Sequence, residues 1–388
     1  MTPAARHAAA IDILDRWRDG QPVEAALTSW ARASRYAGSK DREAVRDIVY
    51  SAVRQRQSAS ALGGGDSGRA LMLGLARAEG TAPEGWTGEM YTPVGLTDDE
   101  RALCTAAYPD LMRADRLDCP AWLLPLFDAA LGEQTDATLA MMQQRAPVFA
   151  RVNIAKGSLN GAVAELAVDG IKAQPHPLAV TALEITQNPR RLRISAAYTE
   201  GRVELQDVAS QAVALDFLRH VASGTEVLDY CAGGGGKALA MAAQGVPVAA
   251  YDIAPARMRD LPARVARAGA DVRLLGDAPS GVWGAVFADA PCSGSGSWRR
   301  APEAKWAFSP ERLAELTAIQ GSILVTCADL VGSSGVLGYA TCSMLRAENE
   351  DRIEAFLAGN PGWKVVFQQR LGPLDGGDGF FLSVLRRE

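Results

Sequence analysis

The stretch TEVLDYCAGGGGKALAMAAQGVPVAAYDI (225–253) decides the fold. Val227 and Leu228 run as a short apolar strand into Asp229, and the glycines 233–236 follow before KALAMAA takes up helical spacing. Glycine there lets the backbone turn sharply and approach a ligand closely. VPVAAYDI reads as a second strand closed by Asp252, 19 residues after Gly233. A carboxylate so placed can take both hydroxyls of a ribose. Strand, glycine loop, helix, strand and acid open a doubly wound nucleotide-binding sheet. Gly233, Gly235 and Ala238 also satisfy G-x-G-x-x-A, so a dinucleotide such as NAD stands as a second reading beside an adenosyl ligand.

Working outward, the alternation continues. PARMRDLPARVARAG reads as a helix, DVRLL as a strand, and Asp277 follows it, placed to accept from an adenine amino group. Three acidic strand ends in succession favour the adenosyl ligand over NAD. WGAVFADA is a strand leading into the long loop PCSGSGSWRRAPEAKW. The helix PERLAELTAIQGSILVTCADLV carries Leu313, Leu316, Ile323, Leu324 and Cys327 along one face. GVLGYAT is a strand and ENEDRIEAFLAG a helix; WKVVFQ and FFLSVL close the chain with no helix between them. The fold class is therefore α/β: a Rossmann-like, mostly parallel doubly wound sheet with an antiparallel C-terminal edge.

Upstream the texture differs. Residues 1–145 read as an all-α region, with Ala8, Ile11, Leu14 and Trp17 at helical spacing and a helix starting near Ser39. In residues 1–60 ten Lys and Arg face seven Asp and Glu, a local net of +3 in a chain whose net charge is −5. Residues 146–205 read as a small α/β connector: VFARVNIA, TALEITQ and RLRI as strands, SLNGAVAELAVDGI as a helix closed by Gly170. Arg190, Arg191 and Arg193 then lie on one strand edge, either as a charged guard or as an RNA-phosphate contact. The alternating α/β region runs over 206–388.

Composition narrows the classes. With 48% apolar and 22% charged residues, the 388-residue chain is globular rather than disordered. No apolar run approaches the ~20 residues of a membrane span. The start, MTPAARHAAAIDILDRWRDG, places Asp12 and Asp15 inside its apolar stretch, unlike a signal-peptide core. No two cysteines are spaced as CxxC, and only His7, His176 and His220 are present. A metal-free, cytoplasmic, monomeric protein with reduced thiols is expected.

Two of the six cysteines stand apart. Cys292 follows the WGAVFADA strand in Asp289-Ala-Pro-Cys-Ser-Gly294, and Cys342 follows GVLGYAT in Thr341-Cys-Ser343. Ligands of open α/β sheets bind at the carboxyl ends of strands, so both thiols belong beside the nucleotide. Cys104, Cys119, Cys231 and Cys327 read as inert packing residues.

VLDYCAGGGGK (227–237), AYDIAPARM (250–258), ADAPCSGSGSWRRAPEAKW (288–306) and YATCSMLRAENEDRI (339–353) resemble the motifs of the RsmB/Nop2/Sun family of RNA 5-methylcytosine methyltransferases. ELQDVASQ (204–211) and DGGDGFFLSVLRR (375–387) resemble the segments that open and close that family's catalytic domain. GSKDREAVRDIVYSAVR (38–54) resembles part of the NusB-like RNA-binding domain at the front of its RsmB branch. One departure is visible: the family's Ala-Pro-Gly-Gly-Lys loop is Gly-Gly-Gly-Gly-Lys at 233–237, which removes a rigid proline but no side-chain ligand.

The resemblance implies methyl transfer from S-adenosyl-L-methionine to carbon 5 of a cytosine in RNA, ribosomal RNA ahead of transfer RNA. Carbon 5 is a poor nucleophile until a thiolate adds to carbon 6. The resemblance assigns Cys342 as the attacking thiol, Cys292 as the assistant in release, and Asp289 to ring N3 and the amino group. The implied cofactor set is Asp229, Ala232, Gly233, Gly234, Gly235, Gly236, Lys237, Asp252, Arg257, Asp277 and Asp289. Lys237 can stabilise a thiolate or orient the glycine loop. Trp298-Arg-Arg-Ala-Pro-Glu-Ala-Lys-Trp306 reads either as an RNA-stacking loop or as a loop whose tryptophans cap the core. Two rival functions remain: a dehydrogenase, which leaves both cysteine motifs unexplained, and a non-catalytic RNA-binding or antitermination protein, which the intact Asp252, Asp289, Cys292 and Cys342 oppose.

Overall fold

A computed structural model describes residues 1–89 and 91–387. The chain forms two compact units: Met1–Arg145 with Trp298–Ala307, and Ala146–Ser297 with Phe308–Glu388.

The first unit is helical. Thr2 caps the helix Pro3–Arg18 through its hydroxyl, and Pro3 sits at the first turn, where its missing N–H costs nothing. Helix Ser39–Arg54 starts where expected and buries Val45, Val49 and Val53 against Ile13 and Leu14 of the first helix. The segment Trp298–Ala307 packs into this unit, although the sequence reading counted it in the catalytic domain. Arg54 Nε donates to Arg299 O at 2.7 Å, and Trp306 Nε1 donates to Val53 O at 2.6 Å. Lys305 Nζ reaches Asp118 O at 2.5 Å, and burial lowers its pKa to about 8. Trp298 lies edge-on to Phe127 at 6.3 Å. Of the two readings of this loop, the core-capping one describes Trp298, Arg299 and Lys305, all buried; Arg300 is exposed.

The second unit holds two sheets. The smaller comprises β1 (Phe149–Val152), β2 (Lys172–Pro175), β3 (Ala182–Gln187) and β4 (Val203–Leu205), in the antiparallel order β2-β3-β1-β4. The helix Leu159–Val168, capped by Ser158, covers one face. RLRI is not the expected strand. Asn188 turns left-handed at φ 55°, Pro189 brings no N–H to a ladder, and Pro189–Ile194 winds as a 3₁₀ helix. Its Arg190, Arg191 and Arg193 are exposed on that turn rather than on a strand edge.

The larger sheet comprises β5 (Val227–Asp229), β6 (Val248–Ala250), β7 (Val272–Leu274), β8 (Trp283–Asp289), β9 (Val331–Thr341), β10 (Trp363–Leu371) and β11 (Phe380–Arg387). Its order is β10-β11-β9-β8-β5-β6-β7, parallel from β9 to β7. The closing strands pair antiparallel; β11 lies inside, against β9, and β10 forms the edge. Alternate side chains feed two cores. Val227, Ala285 and Phe287 join Val213 and Phe217 on one face; Leu228, Val286 and Tyr339 join Leu324 and Cys327 on the other. By length and composition, Pro310–Leu330 is the one helix among the described residues that could cross a membrane. Its Leu316, Leu324, Cys327 and Leu330 are buried, and Leu324 and Cys327 sit in that second core. Chain order reverses between β5 and β8, which opens a crevice at their carboxyl ends.

Candidate active site

The glycine loop is built by backbone conformations that side chains resist. Gly235 has φ 76°, and a Cβ there would stand 2.1 Å from Leu261 Cδ1. Asp252, buried just beyond β6, holds the loop: Gly233 N donates to Oδ2 and Ala254 N to Oδ1, each at 2.9 Å. Arg257 Nη1 lies 3.0 Å from the same Oδ2, on a half-exposed side chain able to yield to a ligand. Counting lone pairs, Oδ1 keeps one acceptor site.

Asp229 ends β5, buried, and neither of its carboxylate oxygens makes a close hydrogen bond, with only the Ala238 backbone N–H facing it. Burial and the nearby Asp289 charge push its pKa up to about 7. A carboxyl so thinly partnered beside a glycine cradle fits a ligand that brings a cationic or donor group. Ala232 is buried, Gly234 is exposed, and Gly236 opens the helix Gly236–Ala242. Asp277 is exposed beyond β7.

Lys237, in the first turn of that helix, points into the crevice and not at the glycine loop. Its Nζ is 2.7 Å from Asp289 Oδ2 and 4.7 Å from the Phe380 ring centre. Burial by itself lowers an ammonium pKa, but the Asp289 carboxylate and the Cys342 charge outweigh it and raise that of Lys237.

The two cysteines meet. Cys292 follows β8, Cys342 follows the adjacent β9, and their Sγ atoms are 3.4 Å apart. The hydrogen bond from Cys292 is the largest influence on Cys342 and holds it below the usual thiol pKa. Burial, Asp289 and Glu348 pull the other way, while Lys237 adds to the lowering. Cys292 is pushed well above the usual value by the same hydrogen bond, by burial and by the charges of Cys342 and Glu348. The pair therefore favours ionisation at Cys342 over Cys292, with one hydrogen bond shared between the two sulfurs. The other cysteines match their inert reading: Cys327 and Cys119 are buried, and burial raises the thiol pKa of Cys104, Cys119, Cys231 and Cys327.

The residues that hold the two loops together had no assigned role in the sequence reading. Gly296 N donates to Cys342 O at 2.9 Å, and Gly379 N to Gly296 O at 2.8 Å; a Cβ on Gly296 would stand 2.1 Å from Gly379 O. Ser293, Ser343, Glu348 and Asn349 complete the loop contacts. Only the acid-rich tail of the Cys342 motif, Ala347-Glu-Asn-Glu350, hinted at them.

Sheet order, glycine cradle and strand-end carboxylates define a Rossmann-like methyltransferase domain, here with paired thiols. Residues 217–384 match the family described as 16S rRNA methyltransferase RsmB/F, and residues 119–190 match the RsmF/B-like ferredoxin-like domain. Ribosomal RNA small subunit methyltransferase B of Xylella fastidiosa (strain 9a5c) is 34% identical over 293 residues, spanning 69% of this chain and 68% of that protein. The crystal structure of PH0851 shares the fold with a TM-score of 0.77 and 21% identity, over 100% of this chain and 99% of that one. A methyltransferase homologue from Pyrococcus horikoshii, also 21% identical, gives 0.62 over 71% of this chain and 98% of its own. The chain belongs to the 16S rRNA methyltransferase RsmB/F family. It is an rRNA methyltransferase whose cofactor is S-adenosyl-L-methionine, and the dehydrogenase reading falls.

Asp252→Ala removes the pin of the glycine loop together with the acceptor expected to meet a ribose. S-adenosylmethionine affinity is expected to weaken by about 1.5–3 kcal/mol, the range for hydrogen bonds to a charged acceptor. Titration calorimetry on the folded variant checks it; unchanged affinity would place the ribose elsewhere.

Proposed function

We propose that this protein methylates carbon 5 of a cytosine in ribosomal RNA through a covalent bond between Cys342 and carbon 6. The observation that carries the reading is the 3.4 Å contact between Cys292 and Cys342, with Lys237 and Asp289 beside it. Asp229, the glycines 233–236, Asp252, Arg257 and Asp277 hold the cofactor, with Lys237 and Asp289 at its edge. S-adenosylmethionine supplies an electrophilic methyl group on its sulfonium.

Cys342, favoured as thiolate, adds to carbon 6, and the electron pair of the 5,6 double bond moves onto the ring. Asp289 faces ring N3 and the amino group, and a proton delivered there through Asp289 is replaced from Lys237, 2.7 Å away. Carbon 5, now nucleophilic, takes the methyl group; the methyl–sulfur bond breaks and its electron pair stays on the sulfur, which is left as a neutral thioether. Its remaining proton must then leave, Cys342 departs with the electron pair of its carbon–sulfur bond, and the N3 proton returns through Asp289 to Lys237. Cys292 protonates the departing sulfur and, as thiolate, takes the carbon 5 proton, so one proton in total is left on the pair for solvent. The base must leave its stack to reach these groups, which costs a few kcal/mol and least in a loop or single strand.

The helical region 1–145 supplies RNA affinity, 146–205 links, and 206–388 carries the transfer, in a monomeric cytoplasmic enzyme. The helical surface has a groove of about 400 Å³ lined by Arg32, Arg35, Arg42 and Arg46 beside Trp30. Glu24 pairs with Arg46, while Arg32 and Arg35 make no ion pair among the described residues. Arg32→Glu with Arg35→Glu is expected to weaken RNA binding and to flatten its salt dependence by about 0.7–0.9 in log–log slope per lost phosphate contact. Binding curves at several salt concentrations check this, and an unchanged slope would move RNA contact off the groove. Charge reversal is the better test, because cutting away 1–145 would bare Trp298 and Lys305.

The function is tested by bisulfite sequencing of RNA from a deletion strain and its parent. A small-subunit rRNA cytosine protected only in the parent is the expected result. Loss of protection in transfer RNA alone would reassign the substrate, and no loss anywhere would overturn the reading.

A further inference from the structure

Glu348 has no exposed surface and makes no salt bridge among the described residues, yet four donors converge on its carboxylate. Ser293 N donates to Oε1 at 2.7 Å and Gln320 Nε2 at 3.1 Å. Ser293 Oγ and Ser343 Oγ both donate to Oε2 at 2.5 Å. Ser293 follows Cys292 and Ser343 follows Cys342, so a single side chain holds the residue after each thiol. Asn349 serves one loop only: it accepts from Thr341 Oγ1 at 2.6 Å and donates to Ser343 O at 2.9 Å. The backbone carbonyl of Glu348 is anchored in turn by the buried Tyr339 hydroxyl at 2.7 Å.

A carboxylate is the side chain suited to this place. It has about four acceptor sites and no donor. A glutamine amide would turn its N–H groups either on the backbone and Gln320 donors or on the two hydroxyls, which would have to reverse from donors to acceptors although Ser293 Oγ and Ser343 Oγ already accept from Ser295 N and Leu345 N. Burying a charge without a cation is costly unless hydrogen bonds satisfy it, and here they come from both loops.

We propose that Glu348 is a positioning residue for the thiol pair: by tying the serine after each cysteine to one carboxylate, it sets Cys292 against Cys342. Its effect on turnover rests on the covalent reading above; its effect on the distance between the thiols does not.

The experiment separates the two effects. Diamide oxidises two neighbouring thiols: its N=N bond takes two electrons and two protons, one S–S bond forms, and a hydrazine leaves. Peptide mapping by mass spectrometry follows the Cys292–Cys342 disulfide in the full chain, in Glu348→Gln, in Glu348→Ala and in the double variant Ser293→Ala with Ser343→Ala. Calorimetry with S-adenosylmethionine shows that each variant keeps its fold. In all three variants disulfide formation is expected to slow by about tenfold or more, since sub-ångström alignment is lost. Methyl transfer should lose about a hundredfold in kcat with KM for S-adenosylmethionine unchanged. Wild-type oxidation rates in folded Glu348→Gln and Glu348→Ala would overturn the proposal. Slowed oxidation in variants of an enzyme that never forms an RNA adduct would uphold the positioning role and sink the covalent reading instead.

Discussion

Cys342→Ala is expected to give neither methylated RNA nor a protein–RNA adduct, whereas Cys292→Ala accumulates an adduct that survives a denaturing gel. In the first variant no nucleophile reaches carbon 6. In the second Cys342 still adds and carbon 5 still takes the methyl group, but no thiol remains 3.4 Å away to assist release. Loss of a covalent nucleophile typically costs several powers of ten, about 10⁴–10⁶ in kcat. A gel with labelled RNA and cofactor, run for both single variants and the double variant, reads the result. An adduct with Cys342→Ala would exchange the two roles. An adduct in the double variant would remove both cysteines from the chemistry.

The same variant carries a pH signature. Cys342 lies below the usual thiol pKa chiefly because Cys292 donates to it. The thiolate is thus present from a lower pH than an isolated cysteine would allow. Removing the donor in Cys292→Ala raises the Cys342 pKa, so the rise in adduct formation with pH moves to higher pH. An unmoved limb would mean that Cys292 does not share its proton with Cys342.

Lys237→Met should produce the second large loss. It removes the ammonium bonded to Asp289 at 2.7 Å and one of the influences that lower the Cys342 pKa. Asp289 loses both its proton source and its partner, and general acid catalysis of this kind contributes about 10²–10⁴-fold. The expected outcome is a rate loss in that range, with the adduct limb shifted to higher pH and S-adenosylmethionine affinity little changed, because Lys237 points at Asp289 and not at the glycine loop. Single-turnover kinetics with calorimetry checks it. If affinity collapses while the bound complex reacts normally, Lys237 belongs to the cofactor loop alone.

The larger sheet was legible because its signals are local. Val227 and Leu228 point to opposite cores because strand side chains alternate, and Gly235 is required by its own φ and by Leu261 one helix away. Asp252 and Asp289 at strand ends, and a cysteine on each of two strand-end loops, follow from segment order and the rule that parallel strands present their carboxyl ends together. RLRI misled because its apolar spacing suits a strand, whereas the backbone at Asn188 and Pro189 does not.

The sequence by itself thus determined the fold class, the glycine turn after β5 and the placement of a cysteine after each of two neighbouring strands, since each depends on spacing along a short stretch. Only the tertiary structure decided which carboxylate bonds the serine after each cysteine, where Lys237 points and where Trp298–Ala307 packs. Ser293 lies 55 positions from Glu348, Lys237 52 from Asp289 and Trp306 253 from Val53. Contacts over such separations depend on how whole elements dock to bury apolar surface and satisfy polar groups, and no local periodicity encodes that.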